Sequence, residues 1–235
     1  MHKIETELKK MASKEKANFY PNFFKTGPGE YGYGDEFLGV TVPKQRLIAK
    51  SHYKQITIPE ISELLTSKYH EVRLTALFLL VLCYQKKAKS EKDRLPYVNL
   101  YKSKMDRINN WDLVDVTADK ILGHYYFDKD KDYLHVLSKS NDLWKTRIGV
   151  MSTFYFIRNG QFDDTLQMCE LLLNHKHDLI HKATGWMLRE IGKRDLTRLR
   201  NFLTLHSKAM PRTMLRYAIE KLSDAERKKW LKEKG

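Results

Sequence analysis

The sequence has few of the residues that break regular structure or cross-link a chain. Among 235 residues there are only 2 Cys, 6 Pro and 11 Gly, while hydrophobic residues make up 42%. No apolar run approaches the roughly 18 residues that a membrane-spanning helix needs. These shortages exclude a disulfide scaffold, a collagen-like repeat and a disordered chain. They indicate a globular protein that is mostly helical.

Acidic residues are also in short supply, because 29 Asp and Glu face 43 Lys and Arg, giving a formal charge of +14. The two cysteines, Cys83 and Cys169, lie among apolar neighbours, as buried thiols in a reducing compartment do. Segment 1–20 is charged throughout and lacks the apolar core of a secretion signal. We therefore expect a cytoplasmic protein with a polyanionic partner, and nucleic acid is the leading candidate.

Glycine is concentrated in one segment, since five of the 11 glycines fall within residues 25–39. Such a density disfavours helix and predicts a β-hairpin or an ordered loop, centred on residues 25–36. Before this insert, Ile4, Leu8 and Met11 recur at helical spacing, and from Pro43 onward the pattern stays helical. The prediction is an all-α chain with one small insert.

The helical part contains an internal repeat, in which a charged residue is followed two positions later by a small one. The charged positions are 42, 32, 35 and 34 residues apart. Periods of this size are typical of stacked helix pairs of the HEAT or armadillo type. We therefore predict a single domain over residues 1–235, a HEAT-like solenoid with a concave basic groove. The repeated segments are VRLTAL (72–77), VDVTAD (114–119), TRIGVM (146–151), HKATGW (181–186) and LRYAIE (215–220).

The repeated charged position is basic in four of the five segments, at Arg73, Arg147, Lys182 and Arg216. A stripe of this kind can follow a phosphate backbone. It can also pack between repeats against acidic neighbours, as in a scaffold that binds only proteins. The affinity of such a scaffold for DNA would barely change with salt. The sign and the placement of the charges together favour nucleic acid.

Asp115 is the acidic exception, and it lies four residues after Trp111, on the same face of a helix. Two interpretations stay open on spacing alone. Asp115 is neutralised by a basic neighbour such as Arg147, or it stabilises positive charge on the ligand. The second has a specific chemistry, because cleavage of an N-glycosidic bond develops an oxocarbenium-like sugar that a carboxylate stabilises.

Several separated motifs resemble the AlkD-type DNA alkylation repair proteins over about residues 37–222. The resemblance implies HEAT-like repeats and a DNA glycosylase that releases N3- and N7-alkylpurines in base-excision repair without metal or cofactor. The motifs are FLGVTVPKQR (37–46), HEVRLTALFLLV (70–81), INNWDLVD (108–115), WKTRIGVMSTFYFIR (144–158), IHKATGWMLREIGKRD (180–195) and MPRTMLRYAIEKL (210–222).

The same resemblance assigns site residues. It implies that Asp115 is the catalytic carboxylate, that Trp111 and Trp186 contact the lesion, and that Arg147 holds a phosphate. It further implies that the lesion stays in the duplex, whereas most glycosylases extrude the base. Expected phosphate contacts are Arg158, Lys182 and Arg189, in addition to Arg73 and Arg216 of the repeated position.

The insert resembles the branch of this superfamily that has a β-hairpin near the DNA groove. Some members of that branch bind branched or distorted DNA with little base release, so a noncatalytic DNA binder is the alternative function. Two interpretations of the insert stay open: it contacts the minor groove of DNA through Lys25 and its tyrosines, or it is a simple surface turn. The protein is expected to act as a monomer at the nucleoid, without a membrane or a nucleotide cofactor. The cluster of His175, His177 and His181 lacks an accompanying Glu or Cys, so no metal site is predicted.

Overall fold

The computed structural model describes residues 2–233. Helices account for all the regular structure of this part of the chain, and no strand forms in it. The predicted all-α helical repeat fold is therefore confirmed. The chain separates into two compact units, one ending at Thr117 and the other beginning at Ala118. A single domain over residues 1–235 stays a prediction.

The first unit is built around α5, which has every residue from His70 to Val81 buried. Because neighbouring helices cover α5 on several sides, residues 76–82 form a continuous apolar run, and the polar residues before them, His70, Glu71, Arg73 and Thr75, are buried as well. Helices α1, α3, α4 and α7 all pack on α5. The helices of this unit are α1 (Lys3–Lys10), α2 (Lys14–Phe24), α3 (Val42–His52), α4 (Ile58–Leu65), α5 (His70–Leu82), α6 (Glu91–Ser103) and α7 (Trp111–Asp115).

The second unit is centred on α10, α12 and α14, of which α12 packs on both others. Gly185 on α12 lets α14 approach closely, since a Cβ at this position would lie 2.5 Å from the carbonyl oxygen of Met214. The helices of this unit are α8 (His124–Tyr126), α9 (Asp132–Ser138), α10 (Leu143–Arg158), α11 (Asp163–Leu171), α12 (Asp178–Gly192), α13 (Leu196–His206), α14 (Arg212–Ala218) and α15 (Asp224–Glu233).

The small residue of the repeat is buried in all five segments. Thr75, Thr117 and Thr184 have no exposed surface. Each hydroxyl donates to the carbonyl four residues earlier, over 2.7, 2.7 and 2.9 Å respectively, so it is satisfied without an external partner. Gly149 and Ala218 occupy the same place in the other two repeats and are also buried. Burial of a small residue thus recurs in every repeat.

The glycine-rich insert, residues 25–36, is an ordered loop and not a β-hairpin. Lys25 ends α2 with a left-handed φ of 55°, and Gly29 and Gly34 have φ of 80° and 89°. Within residues 2–233 the single bridge joins Glu36 to Tyr69, just before α5. The two halves of the insert form no strand ladder. One backbone hydrogen bond joins them, from the N–H of Gly32 to the carbonyl of Lys25 at 2.9 Å, while Glu36 bonds to Lys68 and His70.

Both cysteines are buried and free, as the sequence predicted. Burial raises the pKa of the Cys83 thiol to about 11 and also raises the pKa of Cys169. Neither thiol is therefore a reactive nucleophile at neutral pH. In the described part of the chain, no helix is both long and apolar enough to cross a bilayer.

Candidate active site

Helix α7 is a single turn that begins at Trp111 and ends at Asp115. The side chain of Asn110 caps it by accepting a hydrogen bond from the backbone N–H of Trp111 at 2.9 Å. One helical turn separates the two candidate residues, so they lie on the same side of α7, as predicted. Both side chains are partly exposed. The helix therefore presents an aromatic ring and a carboxylate together.

Aromatic side chains of α2 support Trp111. The Trp111 ring stacks on Phe24 at a centroid distance of 5.7 Å and meets the edge of Phe23 at 5.9 Å. Phe24 in turn lies against Phe37 and His70. Sequence reasoning assigned no role to these rings. The one signal for them was the density of aromatics in residues 19–24, directly before the insert.

A buried network of charges fixes the segment that contains α7. His70 contacts Asp35 through Nδ1 at 2.9 Å and Asp112 through Nε2 at 2.8 Å, and its side chain is 2% exposed. The two carboxylates outweigh burial and raise the pKa of His70 to about 9, so the imidazolium is charged at neutral pH. His70 therefore ties the insert, through Asp35, to the first turn of α7, through Asp112.

Arg73 completes this network, and its position corrects a prediction. The residue has no exposed surface. Its guanidinium donates to Asp35 at 2.6 Å and to Asn109 at 3.1 Å, and also to two backbone carbonyls. Arg73 therefore holds the insert to the loop before α7 and is not available to a phosphate. The repeated position is structural here because Asp35, far away in sequence, supplies its counter-charge.

Arg73→Met should destabilise the first unit by about 3–5 kcal/mol, because it leaves the buried Asp35 with one cationic partner fewer. Urea unfolding followed by circular dichroism measures the loss. The matched control is Lys68→Met, which removes an ion pair exposed on both sides and should leave the midpoint of unfolding unchanged. An equal change in the midpoint of unfolding in the two variants would contradict a structural role for Arg73.

The second unit contains the other two candidate residues. Trp186 lies on α12, where its indole Nε1 donates to Glu190 at 3.3 Å and its ring lies 5.7 Å from that of Phe154. Glu190 also binds Lys193 and Arg194. Arg147 lies on α10, is 4% exposed and donates to the carbonyl of Leu179. The Trp186 ring is thus fixed by a carboxylate one turn away, and little of Arg147 reaches the surface.

The expected phosphate contacts differ in how accessible they are. Arg158 pairs with Asp119, Lys182 with Asp178 and Arg189 with Glu220. Each of these would therefore exchange an acidic partner for a phosphate on binding. Arg216 on α14 and Lys25 are exposed. Of the repeated basic position, Lys182 and Arg216 have exposed surface and Arg147 has little. The three lie on α10, α12 and α14, helices that pack in that order.

The three histidines of residues 175–181 belong to the start of α12. His177 caps this helix by accepting from the N–H of Leu179 at 3.1 Å, and His175 accepts from the N–H of His177 at 3.1 Å. His181 contacts the carbonyl of His175. Burial lowers the pKa of both His175 and His177. Across residues 2–233 no group of three ligating side chains is arranged to hold a metal ion.

The sequence matches a known protein family over most of its length. The family model described as DNA alkylation repair enzyme matches residues 4–222. The chain belongs to the DNA alkylation repair enzyme family. This match confirms the AlkD-type resemblance, and it makes alkylation repair the role and DNA the partner of this family member.

Solved structures agree on the fold of this DNA alkylation repair enzyme. The structure of a predicted DNA alkylation repair enzyme from Enterococcus faecalis superposes with a TM-score of 0.69 at 15% sequence identity. The match covers 91% of this chain and 98% of that one. No curated protein sequence matches the chain significantly. At this identity the structural match shows the fold alone.

Proposed function

We propose that this DNA alkylation repair enzyme is a glycosylase that hydrolyses the N-glycosidic bond of N3- and N7-alkylated purines in duplex DNA. The observation that supports this proposal best is that Trp111 and Asp115 lie on the same face of one capped helical turn. A buried charge network, not a flexible loop, fixes the start of that turn. A site held this firmly suits catalysis by preorganised charge.

The chemistry follows from the charge of the substrate. An alkylated purine is already cationic, so it leaves as a neutral base and requires no general acid. Positive charge then grows on the deoxyribose, and Asp115 stabilises it electrostatically and orients the attacking water. Trp111 offers an aromatic face to the same cation. In the second unit, Trp186 is proposed to contact the lesion and Arg147 a phosphate.

The test is the release of free 7-methylguanine and 3-methyladenine from methylated duplex DNA, separated by chromatography. We expect the wild-type enzyme to release both bases well above the spontaneous rate measured without protein. Tight binding of DNA with no release would refute the glycosylase. That result would favour the alternative, a noncatalytic binder of branched or distorted DNA that uses Lys25 and the exposed Tyr33 of the insert.

A further inference from the structure

Trp186, proposed above to contact the lesion, is partly exposed and is restrained at two places within the second unit. Its indole Nε1 donates to Oε1 of Glu190 at 3.3 Å, and its ring centroid lies 5.7 Å from that of Phe154. The first contact holds the polar N–H edge of the indole, and the second holds its apolar face. A side chain held in this way is already oriented before DNA binds.

The acceptor of this hydrogen bond is unexpected for its place in the helix. Glu190 lies in the last turn of α12, where the helix dipole disfavours a negative charge, and its side chain is 9% exposed. Burial alone would raise the pKa of Glu190, but hydrogen bonds from Lys193 and Arg194 lower it below its ordinary value. Glu190 is therefore an anion at neutral pH. A carboxylate that is kept ionised against both the dipole and burial indicates a role beyond the helix itself.

Two cations hold the carboxylate in place. The Nζ atom of Lys193 donates to Oε1 at 2.5 Å. The Nη1 atom of Arg194 donates to Oε2 at 3.2 Å and to the backbone carbonyl of Glu190 at 2.9 Å. Oε1 therefore accepts from Lys193 and from Trp186 together. Because both cations lie within one turn of Glu190, the acceptor of the indole N–H is fixed, and a hydrogen bond to a charged acceptor is a strong one.

We propose that Glu190 is a positioning residue for base release, whose Oε1 holds the indole N–H of Trp186 so that the ring meets the damaged nucleotide in one orientation. This inference rests on the proposed function, because it acts through the contact of Trp186 with the lesion. Phe154 supports the ring from its apolar side, and the guanidinium of Arg158 lies over the Phe154 ring at 4.6 Å.

Loss of the N–H restraint should slow the chemical step more than it weakens DNA binding. A displacement of about 1 Å in a group that orients a substrate can lower the rate by up to about a hundredfold. DNA affinity should instead rise, because removal of Glu190 leaves Lys193 and Arg194 with positive charge available to a phosphate. The rate of release and the affinity for DNA therefore have to be measured separately.

Two variants with the same charge separate the hydrogen bond from the ion pairs. Glu190→Leu removes both the charge and the acceptor. Glu190→Gln removes the charge but keeps an oxygen that can accept from Trp186 and Lys193, as Oε1 does. Single-turnover release of 7-methylguanine from methylated duplex, with the enzyme in excess, measures the rate. We expect Glu190→Leu to slow release about tenfold and Glu190→Gln to stay within about threefold of the wild type.

The matched control is Glu170→Leu, which removes the same charge from α11 at a side chain that is 61% exposed. It should leave release unchanged. Nuclear magnetic resonance of the isotope-labelled enzyme without DNA gives a readout that does not depend on catalysis. The indole N–H signal of Trp186, assigned with Trp186→Phe, should lie downfield in the wild type and in Glu190→Gln. It should move upfield in Glu190→Leu, where the acceptor is lost.

Equal release by Glu190→Leu and Glu190→Gln would overturn the inference, because only the charge would then matter or neither group would. An indole signal that Glu190→Leu leaves in place would overturn it as well. These failures leave the glycosylase standing as long as the wild type releases the base. A wild type that releases no base refutes the glycosylase itself and, with it, any role of Glu190 in the reaction.

Discussion

Asp115→Asn should lower the release of 7-methylguanine and 3-methyladenine by at least about a hundredfold. The substitution preserves the size of the side chain and removes only the charge that stabilises the sugar cation. Affinity for duplex DNA should stay the same or rise, since a negative charge facing a polyanion has been removed. Single-turnover release on methylated duplex, with a separate binding titration, measures the two effects independently.

The matched control is Asp106→Asn, which removes the same charge from an exposed position in the 3₁₀ turn that precedes α7. It should change neither release nor the stability of the fold. Weaker DNA binding by Asp115→Asn with unchanged chemistry would contradict the catalytic role. It would make Asp115 a residue that only shapes the surface next to Trp111.

The repeat architecture could be predicted because it depends on local patterns. The recurring small residue is needed wherever a helix of one pair approaches another, and the hydroxyls of Thr75, Thr117 and Thr184 each bond to the carbonyl four residues earlier. Thr75 and Thr184 can therefore be buried on a local hydrogen bond, and Thr117 also contacts the hydroxyl of Tyr101. The placement of Trp111 and Asp115 on one face followed from helical periodicity for the same reason.

The environment of the site could not be predicted, because it depends on contacts between distant segments. Asp35, His70 and Asp112 are separated by 35 and 42 residues, and nothing in the local pattern of any one indicates the others. The same long-range pairing with Asp35 buries Arg73, which local spacing had assigned to a phosphate. The stacking of Phe24 on Trp111 likewise requires α2 to pack near α7.

The density of glycine correctly indicated that the insert contains tight turns. It did not indicate whether the two halves of the insert pair as strands. Gly29 and Gly34 do adopt positive φ, and Gly32 allows a close approach, since a Cβ there would lie 2.6 Å from the carbonyl oxygen of Phe24. A hairpin needs these turns and also two strands that pair. The backbone of Glu36 bonds to Lys68, just before α5, and to His70, the first residue of α5, so the insert serves as a support for the site.

The stability of the first unit should fall as pH rises through about 9, the pKa of His70 in the folded protein. His70 titrates near its ordinary value of 6.5 when unfolded, so folding raises its pKa. The stabilisation is complete below 6.5, where both states are protonated, and it is lost as pH passes through the folded value. The full difference is on the order of 3 kcal/mol.

Urea unfolding at a series of pH values, compared between the wild type and His70→Gln, measures this contribution. Glutamine keeps a polar side chain between Asp35 and Asp112 but has no proton to lose over this range. The variant should be less stable than the wild type at about pH 6, and the gap should narrow toward about pH 10 as the wild type loses its imidazolium. Parallel stability profiles would show that folding leaves the pKa of His70 unchanged, and would contradict an imidazolium held between Asp35 and Asp112 at neutral pH. Asp35 would then be held to the segment before α7 by Arg73 and Asn109.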